Sequence, residues 1–202
     1  MNKIIKNTGI LMAITLVAGA LLGLVYEVTK IPIAQAQEDA KQEAYRTVLA
    51  DADTFVNEEG FKESKAQKIL NKAGYVSDDI SEVVVGQDTS GETVGYVITV
   101  TSHEGYGGDI QVSVGIQSDG TVTGVSFLSI SETAGLGMKA KEPSFYEQYV
   151  GKNPTKFAVS KDGGDGEQID ALSGATITSR AVTGAVNAAL GYYQNAFGQG
   201  GN

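Results

Sequence analysis

The chain begins with a long apolar stretch that no charge interrupts. The 19 residues from Thr8 to Tyr26 are all uncharged, and as a helix they would extend about 28 Å, close to the hydrocarbon thickness of a bilayer. Lys3 and Lys6 precede the stretch, and basic residues favour the cytoplasmic side of a span. We therefore predict a single-pass transmembrane anchor over residues 1–30, with a cytoplasmic N-terminus and an extracytoplasmic C-terminal domain.

A cleaved signal peptide is the alternative interpretation of this stretch. Ala34-Gln35-Ala36 has the small-x-small form of a cleavage site. However, the apolar stretch is longer than the roughly 7–15 residues of a signal-peptide core, and the candidate cleavage site lies beyond Glu27, Lys30 and Pro32. A retained anchor is therefore favoured, and both interpretations export the remainder of the chain.

The region that follows has apolar residues at helical spacing. After a linker at 31–37, the pattern over Glu38–Ala50 places its apolar residues on one helical face. A second helix is predicted over Ser64–Ala73, and the polar residues 51–60 are predicted to form a loop. We assign residues 31–81 to a helical linker and the N-terminal part of a soluble domain.

From residue 82 onward the spacing changes to the alternation typical of strands. Four segments are rich in Val, Ile, Thr and Tyr, and glycine-containing turns separate the first from the second and the third from the fourth. The predicted strands are Glu82–Gln87, Glu92–Thr101, Asp109–Gln117 and Thr121–Ile130. Segments in this order favour an antiparallel meander.

The last third of the chain returns to helical patterns. A capping box of Ser144 and Glu147 predicts a short helix, Lys156–Ser160 predicts a strand, and a buried helix is predicted from about Thr178 to Ala196. The fold class is therefore α+β: an N-terminal transmembrane helix, then an extracytoplasmic domain of antiparallel strands flanked by helices. That domain covers residues 82–197, and residues 198–202 form a tail.

Composition and charge narrow the possible functions. The 202 residues include no Cys and one His, which excludes disulfides, iron–sulfur ligation and multi-histidine metal sites within this chain; we predict no metal site. Residues 1–30 hold three of the 15 basic and one of the 24 acidic side chains, so residues 31–202 hold 12 and 23. Such an acidic body repels phosphate backbones, so we predict no nucleic-acid partner.

The candidate chemistry lies in the segment from Asp170 to Ser179. Small residues and hydroxyls, among them Ser173, Gly174, Ala175 and Thr176, precede the last predicted helix. The amides at a helix N-terminus stabilise a phosphate. An ordinary helix start capped by a Ser or Thr hydroxyl is the alternative. No activating base adjoins Thr176, so no catalytic residue is predicted.

The same segment carries a recognisable motif. Asp-x-x-Ser-Gly-Ala-Thr at Asp170–Thr176 resembles the flavinylation motif of the FMN-binding domain family, found in the RnfG and NqrC subunits of membrane redox complexes. The resemblance implies that Thr176 carries covalent FMN through a phosphoester bond, installed by a separate flavin transferase that uses FAD. Asp170, Ser173, Gly174 and Ala175 would form the motif that the transferase recognises.

Two further stretches resemble this family. Gly105-Tyr106-Gly107-Gly108 is similar to the Gly-Tyr-x-Gly sequence at the start of one of its strands. Residues 132–137 are similar to its Glu-Thr-Pro-Gly-Leu-Gly loop, with Ala134 in place of Pro and Ser131 where a His often precedes. For each alone, a tight turn is the alternative. The resemblance implies that these stretches lie against the flavin, so the further candidate cofactor-binding residues are Tyr106, Gly107, Glu132, Thr133, Gly135, Leu136 and Gly137.

The resemblance also implies a role for the whole chain. An RnfG-type chain is a non-catalytic electron-relay subunit of an ion-translocating ferredoxin:NAD oxidoreductase complex in the inner membrane. Its partners would be the other subunits of that complex, the flavin transferase and membrane lipid. Two alternatives remain open: an NqrC-like subunit of a Na⁺-translocating NADH:quinone reductase, and an exported non-redox binding module.

Overall fold

The computed structural model describes residues 2–198, and the predicted tail lies outside that range apart from Gly198. The chain divides into two units between Lys41 and Gln42. Most of the first unit belongs to helix α1, Asn2–Val48. By length and composition α1 is able to cross a membrane, and none of its most apolar stretch is buried.

The helix continues through the segment that the sequence predicts to be a linker. Residues 31–37 are helical even though Pro32 lies inside α1. A proline removes one backbone donor, but Ala and Gln dominate the following residues and favour helix. The segment at 31–37 is therefore helical, and the predicted helix over Glu38–Ala50 is the last part of α1.

The second unit is built on a five-stranded antiparallel sheet in sequential order. Its strands are β1 (Thr54–Asn57), β2 (Asp78–Gln87), β3 (Thr93–Ser102), β4 (Ile110–Gln117) and β5 (Val122–Ser129). The predicted meander of four strands is confirmed. The short edge strand β1 was not predicted, because its mostly exposed residues give no alternating pattern.

Helices cover the sheet within this unit. Helix α2 (Glu63–Ala73) ends at Gly74, whose φ is 92°, as predicted. The last helix runs from Thr176 to Ala196, two residues earlier than predicted. Its apolar side chains join those of α2 and the strands in one core, which includes Ala66, Leu70 and Val186. The C-terminal end of α1 packs on Val84 and Val97 in a second cluster.

Two sheet glycines permit the close approach of the α1 terminus. A Cβ on Gly115 would lie 2.1 Å from Val48 O, and a Cβ on Gly124 would lie 2.7 Å from Val48 Cα. Thr123 Oγ1 also donates a hydrogen bond to Val48 O. The bare backbone at these positions therefore lets Val48 rest on the sheet.

Short elements connect β5 to the last helix. They are a 3₁₀ turn over Gly137–Lys141, α3 (Pro143–Tyr146) with a 3₁₀ turn over Glu147–Tyr149, and the parallel strands β6 (Phe157–Val159) and β7 (Glu167–Ile169). The capping-box prediction is wrong, since α3 begins with Pro143 at its first position and no side-chain cap. Strand β6 was predicted, and β7 was not. The last helix is α4.

Candidate functional site

A cavity of about 560 Å³ lies where the N-terminus of α4 meets two glycine-containing loops. Its volume is within the usual range for cofactor sites. The structure brings eight of the predicted site residues to its wall: Tyr106, Glu132, Thr133, Leu136, Gly137, Gly174, Ala175 and Thr176. Lys161, Ile177 and Thr178 complete the lining.

Thr176 is the first residue of α4, and the chain before it forms a tight turn. Gly174 has a φ of 75°, a conformation that favours glycine, and the Ala175 amide donates to Leu172 O at 3.1 Å. The Ser179 hydroxyl accepts a hydrogen bond from the Leu172 amide at 3.0 Å and donates to Ala175 O at 2.9 Å. Ser179 therefore holds the turn that presents Thr176 to the cavity.

These contacts differ from the alternative in which a Ser or Thr hydroxyl, such as that of Thr178 or Ser179, caps the helix start. Both lie inside α4 and are buried. Ala175 is the N-cap residue, and no side chain in the described part of the chain caps the helix there. By geometry the first amides of an α-helix lack intrahelical acceptors, so the N-terminus of α4 retains donors and a positive dipole end at the cavity.

Lys161 adds a full positive charge beside Thr176. Its Nζ lies 3.5 Å from Thr176 Oγ1. The neighbouring Asp162 receives two bonds from Arg180 Nε, at 2.8 and 3.0 Å, and a further bond from Arg180 Nη2. Because Arg180 belongs to α4, this ion pair fixes the 161–162 segment against the helix that carries Thr176. The Arg180 guanidinium also lowers the pKa of Asp162.

Glu132 ties the two glycine-containing loops together. Its side chain is 8% exposed, and its Oε1 accepts a hydrogen bond from the Gly107 amide at 3.2 Å. A Cβ on Gly137 would lie 2.6 Å from Glu132 Oε2 and 2.6 Å from Thr178 Oγ1. The glycine at 137 is therefore required for the loop to pack against both Glu132 and α4.

The rim of the cavity is apolar. Tyr106, Leu136 and Ile177 are large hydrophobic side chains that are 71%, 43% and 47% exposed, and all three line the cavity. An apolar rim suits a planar aromatic ring, and the donors and the lysine at Thr176 suit a phosphate. The residues present therefore fit the two ends of FMN.

Four predicted site residues do not line the cavity. Gly107 contributes its amide to Glu132, and Gly135 supplies a turn with a φ of 76°. Ser173 is exposed, and Asp170 is exposed with its amide bonded to Gln148 Oε1 at 2.7 Å. The last two remain accessible on the surface, where an enzyme that recognises the motif could contact them.

Lys161 is a candidate site residue that sequence reasoning missed. It lies 15 positions before Thr176 in a loop rich in Asp and Gly. The Asp162–Arg180 pair, formed by residues that are distant in sequence, holds this loop at the site. No local sequence pattern predicts the pairing of Asp162 with Arg180.

Comparisons with known proteins agree with this geometry. Residues 105–191 match the family described as FMN-binding domain, and residues 1–48 match the RnfG N-terminal region. The chain resembles the structure of NqrC from Shewanella oneidensis with a TM-score of 0.52, at 20% identity, over 80% of this chain and 98% of that one. The fold of the FMN-binding domain is therefore shared.

Curated relatives match over nearly the whole chain. The G subunit of the Na⁺-translocating ferredoxin:NAD⁺ oxidoreductase complex of Acetobacterium woodii is 34% identical over 96% of this chain and 93% of the relative. The G subunit of the ion-translocating oxidoreductase complex of Methanosarcina acetivorans is 36% identical over 95% of each chain. The corresponding subunit of the proton-translocating ferredoxin:NAD⁺ oxidoreductase complex of Clostridium ljungdahlii is 33% identical over 94% and 91%. The chain therefore belongs to the RnfG family of ion-translocating oxidoreductase subunits, with an FMN-binding domain at its C-terminal side.

Proposed function

We propose that this chain is an electron-relay subunit of a membrane-bound, ion-translocating ferredoxin:NAD oxidoreductase complex, and that it carries FMN bonded covalently to Thr176. The observation that carries the proposal is the position of the Thr176 hydroxyl. It lies at the N-terminus of a 21-residue helix, 3.5 Å from a lysine, on the wall of a cavity large enough for a flavin.

The attachment is a group transfer whose atoms balance. The Thr176 oxygen forms a bond to the FMN phosphorus of FAD, the phosphoanhydride bond of FAD breaks, and AMP leaves. The hydroxyl proton passes to a base of the flavin transferase. Lys161 and the amides of α4 then balance the negative charge of the resulting phosphodiester.

This chain's residues would hold the cofactor by both ends. Thr176 fixes the phosphate, while Leu136, Ile177 and Tyr106 offer apolar surface to the ring. FMN supplies the ability to accept and donate electrons. The protein supplies attachment, orientation and partial exclusion of water, and the exposed rim leaves room for redox partners.

We place the FMN domain on the extracytoplasmic side of the inner membrane. The apolar part of α1 would span the lipid once, with Lys3 and Lys6 on the cytoplasmic side. The names of the relatives support membership in a complex with further subunits. Maturation by a flavin transferase follows from the covalent bond and is part of the proposal.

A denaturing gel tests the covalent bond. The chain is co-expressed with an active flavin transferase, and we expect a yellow-fluorescent band that survives denaturation. The Thr176→Ala variant should lose that band, whereas a control variant, Thr155→Ala, at an exposed threonine that does not line the cavity, should retain it. Fluorescence that persists in Thr176→Ala would overturn the assignment.

The two alternative functions are less well supported. The NqrC-like interpretation rests on a structural likeness at 20% identity, which shows the fold alone, whereas the relatives above 30% identity are RnfG-type chains. The interpretation as an exported non-redox binding module does not explain why a lysine lies beside the Thr176 hydroxyl. A colourless protein purified beside an active transferase would favour that second alternative.

A further inference from the structure

The loop that brings Tyr106 to the cavity is held at its base by a histidine between two carboxylates. The loop comprises residues 103–109 and follows the last β3–β4 pair, Ser102 with Ile110. His103 Nδ1 lies 2.9 Å from Asp109 Oδ1, at the other end of the loop, and His103 Nε2 lies 2.9 Å from Asp79 Oδ2 on β2. One side chain thus connects the start of the loop, its end and a neighbouring strand.

The 103–109 loop loses much conformational entropy when it is held in one position. Three of its seven residues are glycines, and Tyr106 is 71% exposed. On the cavity side the loop is held by the hydrogen bond from the Gly107 amide to Glu132. Since glycine-rich segments lose the most entropy when ordered, the bonds at the base of the loop determine how narrowly Tyr106 is positioned.

We propose that His103 is a positioning residue for the FMN site: by bridging Asp79 and Asp109 it holds the 103–109 loop with Tyr106 on the cavity wall, most firmly when its ring is protonated. This proposal rests on the proposed function of the cavity. A protonated imidazole donates from both nitrogens, whereas the neutral ring donates from one and turns a lone pair toward the second carboxylate.

The pH dependence follows from the charges around the ring. The hydrogen bonds that the His103 ring donates to Asp109 and Asp79 raise the pKa of His103 above its ordinary value of 6.5. The bridge is therefore complete below pH 6.5 and is lost as the pH rises through the raised pKa. Two other acids are close: Glu104 on the loop, and Asp78 on β2, whose burial raises its pKa to about 6.

A single tryptophan reports the position of the loop. The chain contains no Trp, so a Tyr106→Trp substitution places one fluorophore at the cavity wall. The full chain is purified in detergent after expression without a flavin transferase, so that no flavin quenches it. Quenching by acrylamide, which is uncharged, is then measured against pH, and we expect quenching to rise by up to about 1.4-fold above the transition, because the side chain at 106 is already 71% exposed.

Two substitutions at position 103 reproduce the two states of the native ring, without and with the double hydrogen bond. In the reporter background, His103→Gln should give high quenching at every pH, and His103→Arg, a permanent double donor, should give low quenching at every pH. The matched Asp78→Asn variant should keep the transition. Equal quenching in all variants, a transition that survives His103→Gln, or one that Asp78→Asn removes would each overturn the proposal.

A second measurement connects the loop to the flavin. In the flavinylated chain with native Tyr106, flavin fluorescence should show the same pH transition, and His103→Gln should abolish it. A reporter transition without a matching flavin transition would overturn the positioning role. A chain that acquires no flavin beside an active transferase would instead overturn the proposed function, and the tryptophan reporter would still decide whether His103 holds the loop.

Discussion

At the scale of single residues, the candidate site consists of a contiguous sequence motif and of residues that are distant in sequence and meet only in the folded chain. The motif at Asp170–Thr176 identifies the Thr176 hydroxyl as the candidate from sequence alone. Lys161 and the Arg180–Asp162 pair that places it come from separate parts of the chain. For this reason the candidate acceptor could be named from the sequence, and the positive charge beside it could not.

Replacing Lys161 tests its role in the attachment. Lys161→Gln removes the charge 3.5 Å from the Thr176 hydroxyl, so we expect flavinylation by the transferase to slow by about two- to five-fold, the effect of one exposed charge. The rate is measured by in-gel flavin fluorescence over time. Lys156→Gln, an exposed lysine that does not line the cavity, is the control and should leave the rate unchanged.

A buried carboxyl outside the cavity makes stability depend on pH. Asp78 is 4% exposed, and its Oδ1 has no hydrogen-bond partner among the described residues. Burial raises its pKa from 3.8 to about 6. The folded state therefore binds a proton more tightly than the unfolded state, so stability falls as the pH rises from about 4 through 6.

The Asp78→Asn substitution should remove this loss of stability at high pH. We expect the variant to be more stable than the native chain by up to about 3 kcal/mol near pH 8, with the difference vanishing near pH 4. Urea unfolding of the full chain in detergent at several pH values measures it. If the native chain and the variant had the same free energy of unfolding at high pH, ionisation of Asp78 would not be the cause of the loss of stability.

At the scale of elements, the sequence predicted the segments with regular patterns and failed where tertiary contacts decide. Strands β2 to β5 and helix α2 have clear periods and turn signals, and all five are found. Edge strand β1 has few buried residues, and α3 begins at a proline rather than at the predicted capping box. The helical course of residues 31–37 shows that a single proline does not end a helix of good formers.

The packing of the last turn of α1, around Val48, on the sheet gives a prediction at this scale. Gly115→Ala would place a Cβ 2.1 Å from the backbone oxygen of Val48, so we expect a loss of at least about 2 kcal/mol in unfolding free energy. Gly184→Ala is the matched control, because its Cβ would meet Asp78 Oδ2 at an ordinary 3.6 Å and alanine favours helix by about 0.5–1 kcal/mol. Thermal unfolding separates the two, and a neutral Gly115→Ala would contradict the close approach.

At the scale of the whole molecule, the chain joins a membrane-compatible helix to an FMN-binding domain. The absence of Cys and the single His exclude iron–sulfur ligation and multi-histidine metal sites within this chain, and an organic cofactor held by a hydroxyl is consistent with that composition. Membership in the RnfG family accounts for both parts, since one family match covers residues 1–48 and another covers residues 105–191.

The proposed topology can be tested by cysteine labelling, because the native chain has no Cys. A Thr89→Cys variant places a thiol on the exposed β2–β3 turn of the FMN domain, and it should react with a membrane-impermeant maleimide in intact cells. Lys3→Cys should react only after the membrane is opened. Labelling of Lys3→Cys in intact cells would reverse the proposed orientation.

The covalent bond at Thr176 is the central claim, and mass spectrometry of one peptide tests it most directly. Trypsin releases the segment from Asp162 to Arg180, which contains Ser173, Thr176, Thr178 and Ser179. From cells with an active flavin transferase, we predict that this peptide carries the added mass of one FMN phosphoryl group, located by fragmentation on Thr176. An unmodified peptide, or FMN located on any of the other three hydroxyls, would contradict the account.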